Sequence, residues 1–209
     1  MQKTKTFILA FLAGVFISIG GCVNLLAPDK TVGAIMFSVG LYSIVCFSLN
    51  LFTGKVGYWI DNGLSFVSDL GIILLGNFAG TFIPGVLLSF TRQTAIREGS
   101  ASLVMVKLAD TPLSIFILAI FCGILMFTAV ELYKRTKNPL GIFVCVPVFI
   151  LSGFEHCIAN MGTFTMGFTA LQTTIDWSTL PLHMLISTIG NIIGGSVLLG
   201  LPVYLTFKD

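Results

Sequence analysis

The sequence predicts an all-α membrane protein with six transmembrane helices, and its composition and the distribution of its charges lead to this fold class. Of its 209 residues, 56% are hydrophobic and only 10% are charged, and the mean hydropathy is +1.00. A soluble domain carries roughly 25% charged residues because its surface faces water. Here the apolar residues are concentrated in long stretches without Asp, Glu, Lys or Arg. We therefore expect most of the surface to face lipid.

Six uncharged stretches can be followed along the chain. They cover residues 6–28, 31–54, 70–91, 111–130, 140–154 and 177–207. A helix needs roughly 20 apolar residues to cross about 30 Å of hydrocarbon. All but one of the stretches have that length, and the short one continues past Glu155 and His156 to about residue 170. The few remaining residues leave no room for a soluble domain, so we expect one transmembrane domain over residues 1–209.

Lysine and arginine predict the orientation in the membrane. With the N-terminus inside, the cytoplasmic segments contain Lys3, Lys5, Lys55, Lys134, Arg135, Lys137 and Lys208. The opposite segments contain Lys30, Arg92, Arg97 and Lys107. This excess favours cytoplasmic N- and C-termini in a cell inner (plasma) membrane. The formal net charge of +2 is too small to predict binding of nucleic acid.

A short motif, GNxxG, indicates an internal repeat. It occurs at residues 76–80 and 190–194, each time in the last span of a three-span half. Three helices per half place the second half upside down, so we expect two inverted repeats, at about residues 5–92 and about 108–208. Close helix packing accounts for the glycines. The amides of Asn77 and Asn191 need polar partners in lipid, which unwound backbone nearby would supply.

The middle helix of each half is predicted to be broken. Residues 50–57 put two glycines and Lys55 where the second span should finish, and residues 152–160 put a carboxylate, an imidazole and an amide into the fifth. Backbone outside a helix is tolerated at this depth only inside protein or beside a water-filled path. Two broken helices at matching places in two halves indicate a conduction site.

Glu155 and His156 are the ionisable residues expected within a span, where such residues usually face the bundle interior. We expect Glu155 to accept hydrogen bonds from the broken backbone. Histidine gains or loses a proton near neutral pH, and we expect His156 to line a pore. The other histidine, His183, follows Pro181 at the start of the sixth span and is expected to be a wet interfacial residue.

Lys107 and Thr53 each have two interpretations. Lys107 lies in the polar link between the third and fourth spans, as an ordinary interfacial lysine or as a charge that concentrates anions at a pore mouth. Thr53, at the first break, can form a turn, can offer its hydroxyl and nearby backbone N–H groups to a solute, or can do both. The five cysteines form no CxxC pair, and the two histidines have no metal-ligand spacing. We expect no metal or other cofactor, and a membrane enzyme has no support.

These residues lie in motifs that resemble the formate/nitrite transporter family. The motifs are LFT at residues 51–53, GFEHCIANM at residues 153–161 and GNIIGG at residues 190–195, and Lys107 precedes the segment AIFC at residues 119–122 by the family's distance. The resemblance runs from the first helix to the last. It implies a homopentamer of six-helix protomers in a lipid bilayer, each with an aquaporin-like shape and its own pore.

The resemblance also implies roles for single residues. His156 matches the central histidine, Lys107 the vestibular lysine, Thr53 the threonine of a mobile loop and Asn191 an asparagine near the histidine. It implies two apolar constrictions, with Leu41 and the nearby Phe37 on the cytoplasmic side and Phe149 on the periplasmic side; Phe52 precedes the threonine as the pattern expects. One position departs from the pattern: Gly123 stands where the family commonly has asparagine, which puts ordinary formate selectivity in doubt and leaves Asn191 with fewer polar neighbours.

The resemblance implies passage of small monovalent anions or their conjugate acids. Formate or nitrite comes first, hydrosulfide second and larger monocarboxylates such as lactate third. We expect Lys107 to draw in the anion, and a proton from bulk water or relayed through His156 to neutralise it; alternatively the anion crosses charged, compensated by imidazolium. An aquaporin-type channel for neutral solutes is a more distant alternative, and the chain lacks the paired Asn-Pro-Ala motifs of that class.

Overall fold

The structure, a computed structural model, describes residues 2–171 and 176–207, and these are helical throughout apart from short connections. The helices are α1 (Gln2–Leu26), α2 (Lys30–Cys46), α3 (Phe52–Lys55), α4 (Trp59–Asn62), α5 (Ser65–Ser89), α6 (Thr94–Leu108), α7 (Pro112–Thr136), α8 (Leu140–Leu151), α9 (Cys157–Leu171), α10 (Leu180–Ile192) and α11 (Leu201–Phe207). A π-helical segment, Ile193–Gly200, joins α10 to α11. Lys208 lies outside the described residues.

Four helical stretches of the described chain are long and apolar enough to cross a membrane. They are α1, α5, α7 and the continuous stretch Trp177–Phe207. The predicted second and fifth spans contain the shorter apolar helices α2 and α8, each of which ends at a break and is followed by a further helix, α3 or α9. The all-α fold with broken second and fifth helices is therefore observed, whereas the arrangement as two inverted repeats stays a prediction.

The two halves pack in the same way. In the first, α1 packs against α2 and α5; in the second, α7 packs against α8 and α10. A Cβ on Gly76 would lie 2.7 Å from the Cβ of Ala10, and one on Gly190 would lie 2.5 Å from that of Ala119. Each GNxxG motif thus brings the last helix of a half into backbone contact with the first, as the packing interpretation of the glycines requires.

The breaks have matching backbone conformations. After α2 the N–H of Leu49 donates to Ile44 O at 2.8 Å, and after α8 the N–H of Phe154 donates to Phe149 O at 3.1 Å. Ser48 (φ 54°) and Gly153 (φ 68°) occupy the left-handed position of these helix ends. Each break spans only five residues, 47–51 and 152–156.

The first break does not lie at the glycines expected to form it. Gly54 and Gly57 follow the break, within α3 and the adjoining 3₁₀ turn, where a Cβ would meet Val130 Cγ2 at 2.7 Å and the ring of Phe127 at 2.5 Å. Their role is close packing, and the break lies earlier than predicted, at residues 47–51, because the chain turns at Ser48.

The polar link that contains Lys107 is a helix, α6, that packs against α9. Its buried residues, Ile96, Ser100, Ala101 and Val104, lie on one face. This packing fixes Lys107, in the last turn of α6, beside the break that precedes α9.

Candidate pore site

A hydrogen bond between Thr53 and His156 joins the two breaks. Thr53 is in the first turn of α3, and His156 immediately precedes α9. The Thr53 Oγ1 and His156 Nε2 atoms lie 3.0 Å apart, and both residues are buried. Two side chains that are more than 100 positions apart in the sequence are therefore in contact in the folded protein.

The other ring nitrogen of His156 is committed to backbone. Its Nδ1 atom accepts from the N–H groups of Ile158 at 3.2 Å and Ala159 at 3.1 Å, the free donors of the first turn of α9. An acceptor at Nδ1 requires the tautomer with hydrogen on Nε2, so His156 donates to the Thr53 hydroxyl. A proton added at Nδ1 would place an N–H against the N–H groups of Ile158 and Ala159, and this disfavours the imidazolium state.

Lys107 forms an ion pair with Glu155. Its Nζ atom is 2.8 Å from each oxygen of the Glu155 carboxylate, with side-chain exposures of 15% and 4%. Lys107 is therefore bound directly to the break that precedes α9, and the interpretation of Lys107 as an ordinary interfacial lysine is wrong. Glu155 also differs from expectation, because its carboxylate binds side chains and not the broken backbone.

Two further polar side chains complete this network. Asn160 Nδ2 donates to Glu155 Oε2 at 2.6 Å, and His183 Nε2 lies 3.2 Å from the same oxygen. His183 is 2% exposed and packs edge-on against Phe164, with ring centroids 5.2 Å apart. The expectation of a wet interfacial histidine is wrong, because α10 turns this residue toward the break before α9.

Asn77 and Asn191 hold the two breaks by equivalent hydrogen bonds. Asn77 Nδ2 donates to Ala10 O and Asn50 O at 2.7 and 2.8 Å, and its Oδ1 accepts from Phe52 N at 2.7 Å. Asn191 Nδ2 donates to Ala119 O and Glu155 O, again at 2.7 and 2.8 Å, and its Oδ1 accepts from Cys157 N at 2.9 Å. The unwound backbone thus supplies the partners that the buried amides need.

These bonds show that Asn191 supports the backbone of the second break. Both amide hydrogens and the carbonyl oxygen are occupied, and Asn191 lines neither of the two cavities that reach the breaks. It holds the backbone on both sides of His156 and does not face a solute in this conformation.

One cavity, which we call the Lys107 cavity, reaches His156 from one end. It has a volume of about 190 Å³, and its lining includes Lys30, Phe37, Lys107, Phe149, His156, Asn160 and Thr163. The ring of Phe149 stands between two others, 5.5 Å from Phe37 and 5.7 Å from His156 between ring centroids. A cation, an imidazole and apolar rings thus share one small chamber.

A second cavity, the Lys55 cavity, approaches from the opposite end. Its volume is about 590 Å³, and its lining includes Leu51, Gly54, Lys55, Asp61, Lys134 and Lys137. Gly54 follows Thr53, so the Thr53–His156 hydrogen bond lies between the two cavities. The described ends of the chain are near this cavity, since Arg135 lies 5.0 Å from the ring of Phe207 and Asn50 binds Thr6 O.

Leu41, Phe52 and Phe149 belong to one cluster of buried apolar side chains. Leu41 and Phe52 are 1% and 3% exposed and line neither cavity. The grouping of Phe37 with Leu41 needs correction, because Phe37 contacts Phe149 and lines the Lys107 cavity with it. About one turn of α2 separates Phe37 from Leu41, and this rise brings Phe37 into contact with Phe149 of α8.

Gly123 lies at a helix contact and not in a lumen. A Cβ there would lie 2.9 Å from the Cα of Asn191 and closer still to its carbonyl oxygen, so the backbone of α10 occupies the space of a side chain. Gly14 makes the same approach to Asn77 in the first half. Although position 123 supplies no polar neighbour, the amide of Asn191 is fully bonded to backbone groups.

Sequence reasoning missed the contributions of Asn160 and His183. Asn160 was part of a recognised motif but had no role. His183 carried a usable signal: it precedes Ser187 by four residues and Gly190 by seven, and this spacing puts it on the buried face of α10.

The comparisons with known proteins agree with this architecture. The sequence model described as formate/nitrite transporter matches residues 1–205. The formate channel FocA of Escherichia coli (strain K12) is 30% identical, with 97% of this chain and 86% of that protein covered. FocA of Haemophilus influenzae is 28% identical, with 95% and 87% covered.

A solved structure agrees as well. A pentameric formate channel with formate bound superposes with a TM-score of 0.82 at 25% identity, covering 100% of this chain and 98% of the other. Multi-pass helices around a buried Thr53–His156 contact and a family match over nearly the whole length establish the class: this chain is a membrane protein of the formate/nitrite transporter family.

Proposed function

We propose that the chain conducts formate or nitrite across the membrane in a proton-linked manner. The observation that carries the proposal is the position of His156, whose Nε2–H points to Thr53 between a chamber with Lys107 and a chamber with Lys55. The family match and the formate channels among the relatives support a small anion as the solute.

The apolar surroundings favour a neutral permeating species. Moving a bare carboxylate-sized anion out of water costs of order 20 kcal/mol by the idealised Born estimate. Protonation to the weak acid avoids most of this cost. In this proposal Lys107, which lines its cavity whereas Glu155 does not, concentrates the anion there. The anion takes a proton from water, and the neutral acid passes Phe149 and Leu41.

His156 acts in this scheme as a neutral hydrogen-bond donor. Its Nδ1 atom is held by two backbone N–H groups, which leaves Nε2–H to bind the solute in place of Thr53. This arrangement argues against the alternative in which imidazolium at position 156 compensates a charged solute.

We further propose a homopentamer in a cell inner (plasma) membrane, with both termini in the cytoplasm. The pentameric formate channel supports the assembly. The basic residues near the Lys55 cavity, Lys134, Arg135 and Lys137, lie at the same end as the N-terminal Lys3 and Lys5, which supports the orientation.

Flux into proteoliposomes tests the function. Formate, nitrite and hydrosulfide are compared at about pH 5.5 and about pH 7.5, in wild type, His156→Ala and His156→Gln. We expect formate or nitrite uptake that rises at the lower pH, falls to background in His156→Ala and partly recovers in His156→Gln, whose amide restores a donor.

Other results would redirect the proposal. Flux of hydrosulfide alone would favour the alternative that the chain is a hydrosulfide channel. Flux of water or a neutral solute without any dependence on pH would favour a channel of the aquaporin class. Absence of formate, nitrite and hydrosulfide flux from intact protein would refute the proposal.

A further inference from the structure

The two histidines of this chain differ in what their ring nitrogens contact. In His156 both are committed, Nδ1 to two backbone donors and Nε2 to the Thr53 hydroxyl. In His183, Nε2 lies 3.2 Å from both Glu155 Oε2 and Asn160 Nδ2, and within the described part of the chain Nδ1 has no hydrogen-bond partner although it is buried. The sequence has no third histidine.

An added proton therefore meets different surroundings at the two rings. At His156 it would place an N–H against the N–H groups of Ile158 and Ala159. At His183, Nε2–H already donates to the ionised Glu155 carboxylate, so an added proton goes to Nδ1, which faces no hydrogen-bond donor. The positive charge of the ring then turns the bond to Glu155 into a stronger, charge-assisted one. We infer that His183, and not His156, is the histidine that binds a proton in this pore.

The charged groups around His183 are few. Within 4.0 Å of its ring the described ion pairs include only Glu155, which is itself bound to Lys107 of α6. The sequence of α9 contains no charged residue, and the charged residues of α7, Glu131, Lys134 and Arg135, lie in its last turns, far from the start of α10. Asp110 and Asp176 bind Ser114 and Ser178, close to themselves in sequence.

The consequence is a change in the charge of the network. With His183 neutral, Lys107 and Glu155 cancel; with a proton on His183, the network carries one positive charge. Asn160 contacts both Glu155 and the Lys107 cavity, so this charge arises beside the chamber. The proton comes from water in that cavity and turns imidazole into imidazolium, with no other bond changed.

This charge would attract an anion more strongly in acid, which links anion entry to a proton. That role rests on the proposed function, whereas the proton site itself does not. His183 touches no solute in this scheme and acts through Glu155 and Lys107 as a positioning residue.

Nitrogen-15 NMR of histidine-labelled protein in liposomes, prepared without a histidine tag, tests the proton site. Because the chain has only two histidines, each ring gives resolvable signals. Between about pH 8 and about pH 5 we expect one histidine to become imidazolium. His183→Gln should remove this titration, and His156→Gln should leave it. If a variant does not fold, contact with Phe164 identifies the His183 ring in wild type.

Two NMR results would overturn the inference: a titrating signal that disappears in His156→Gln but persists in His183→Gln, or no titration of either ring. Neither depends on transport, so a failed flux assay would refute the proposed function separately.

The transport role has its own readout. The ratio of His183→Gln flux to wild-type flux at equal pH cancels the changing amount of neutral acid. We expect that ratio to fall at least about threefold from about pH 8 to about pH 5.5. A constant ratio would refute the transport role, since a purely structural contribution of His183 would lower flux equally at every pH.

Discussion

At the residue scale, the Lys107–Glu155 pair is a largely buried ion pair. Glu155 accepts from Lys107, Asn160 and His183, so its charge is compensated by a full set of donors. Removing one member of a buried pair leaves the other charge uncompensated, which costs far more than an exposed pair contributes. Stability is therefore sensitive to each partner singly.

Replacing Lys107 tests this argument. We expect Lys107→Met to lower the free energy of unfolding by about 3 kcal/mol, because Glu155 is left buried without a cation. Adding Glu155→Gln should recover part of the loss. Arg135→Gln, which breaks the exposed pair with Glu131, is the control and should cost less than about 1 kcal/mol. Thermal unfolding in detergent measures all four proteins, and equal losses in Lys107→Met and the control would contradict the expectation.

The two buried asparagines give a second prediction at this scale. Asn191→Leu removes the bonds to Ala119 O, Glu155 O and Cys157 N, and a buried polar group that loses its partner costs roughly 1–3 kcal/mol. We expect loss of flux and a lower unfolding temperature, because the segment that carries His156 is no longer held.

Asn77→Leu should have a similar effect at the other break, and the exposed Asn62→Ala, which loses one hydrogen bond to Tyr58 O, serves as the control. Full flux in Asn191→Leu would show that the amide does not support the site.

At the element scale, each break depends on one residue in the left-handed region. Gly153 adopts this conformation without strain, whereas Ser48 carries a side chain in it at some cost. The matching hydrogen bonds at both breaks make the two positions comparable.

We expect Ser48→Gly to stabilise the protein by about 1 kcal/mol and Gly153→Ala to destabilise it by about the same amount. Open space surrounds a Cβ at position 153, so a loss there reports backbone strain and not a clash. Thermal unfolding of the pair measures the effect, and changes of the same sign in both would contradict it.

Helix contact at Gly123 belongs to the same scale. Gly123→Asn should reduce the yield of folded protein, because the new side chain meets the backbone of α10 at Asn191. Gly71→Ala in α5, where a Cβ meets nothing within 4 Å, is the control and should be neutral or stabilising by up to about 1 kcal/mol. Normal folding of Gly123→Asn, measured by size-exclusion chromatography, would show that α7 and α10 can separate.

At the scale of the whole molecule, a buried threonine–histidine contact lies between two cavities of unequal size. Many large apolar side chains are exposed on the single chain, including Leu64, Leu75, Phe90, Val106 and Leu205. Lipid and neighbouring protomers are the surfaces that such side chains fit.

Native mass spectrometry from mild detergent tests the assembly. We expect a dominant species of five times the 22.5 kDa of one chain, following the pentameric formate channel. A dominant monomer or tetramer under conditions that preserve flux would contradict it.

The sequence predicted the helical membrane fold, the two breaks and the residues Thr53, Lys107, Glu155 and His156, because hydropathy and short motifs are local properties of a chain. It placed the first break too late, since Gly54 and Gly57 resemble helix-ending residues but serve close packing. It also treated α6 as a link, because only packing against α9 reveals which face of this helix is buried.

By itself, then, the sequence determined which segments are apolar enough for a membrane, since the hydropathy of an uncharged stretch depends on that stretch alone. Only the tertiary structure decided which polar groups meet: that Lys107 binds Glu155, that Asn191 holds backbone, and that His183 is buried beside a carboxylate. Hydrogen bonds act over about 3 Å. Whether two groups separated by dozens of residues approach that closely depends on how the helices between them pack.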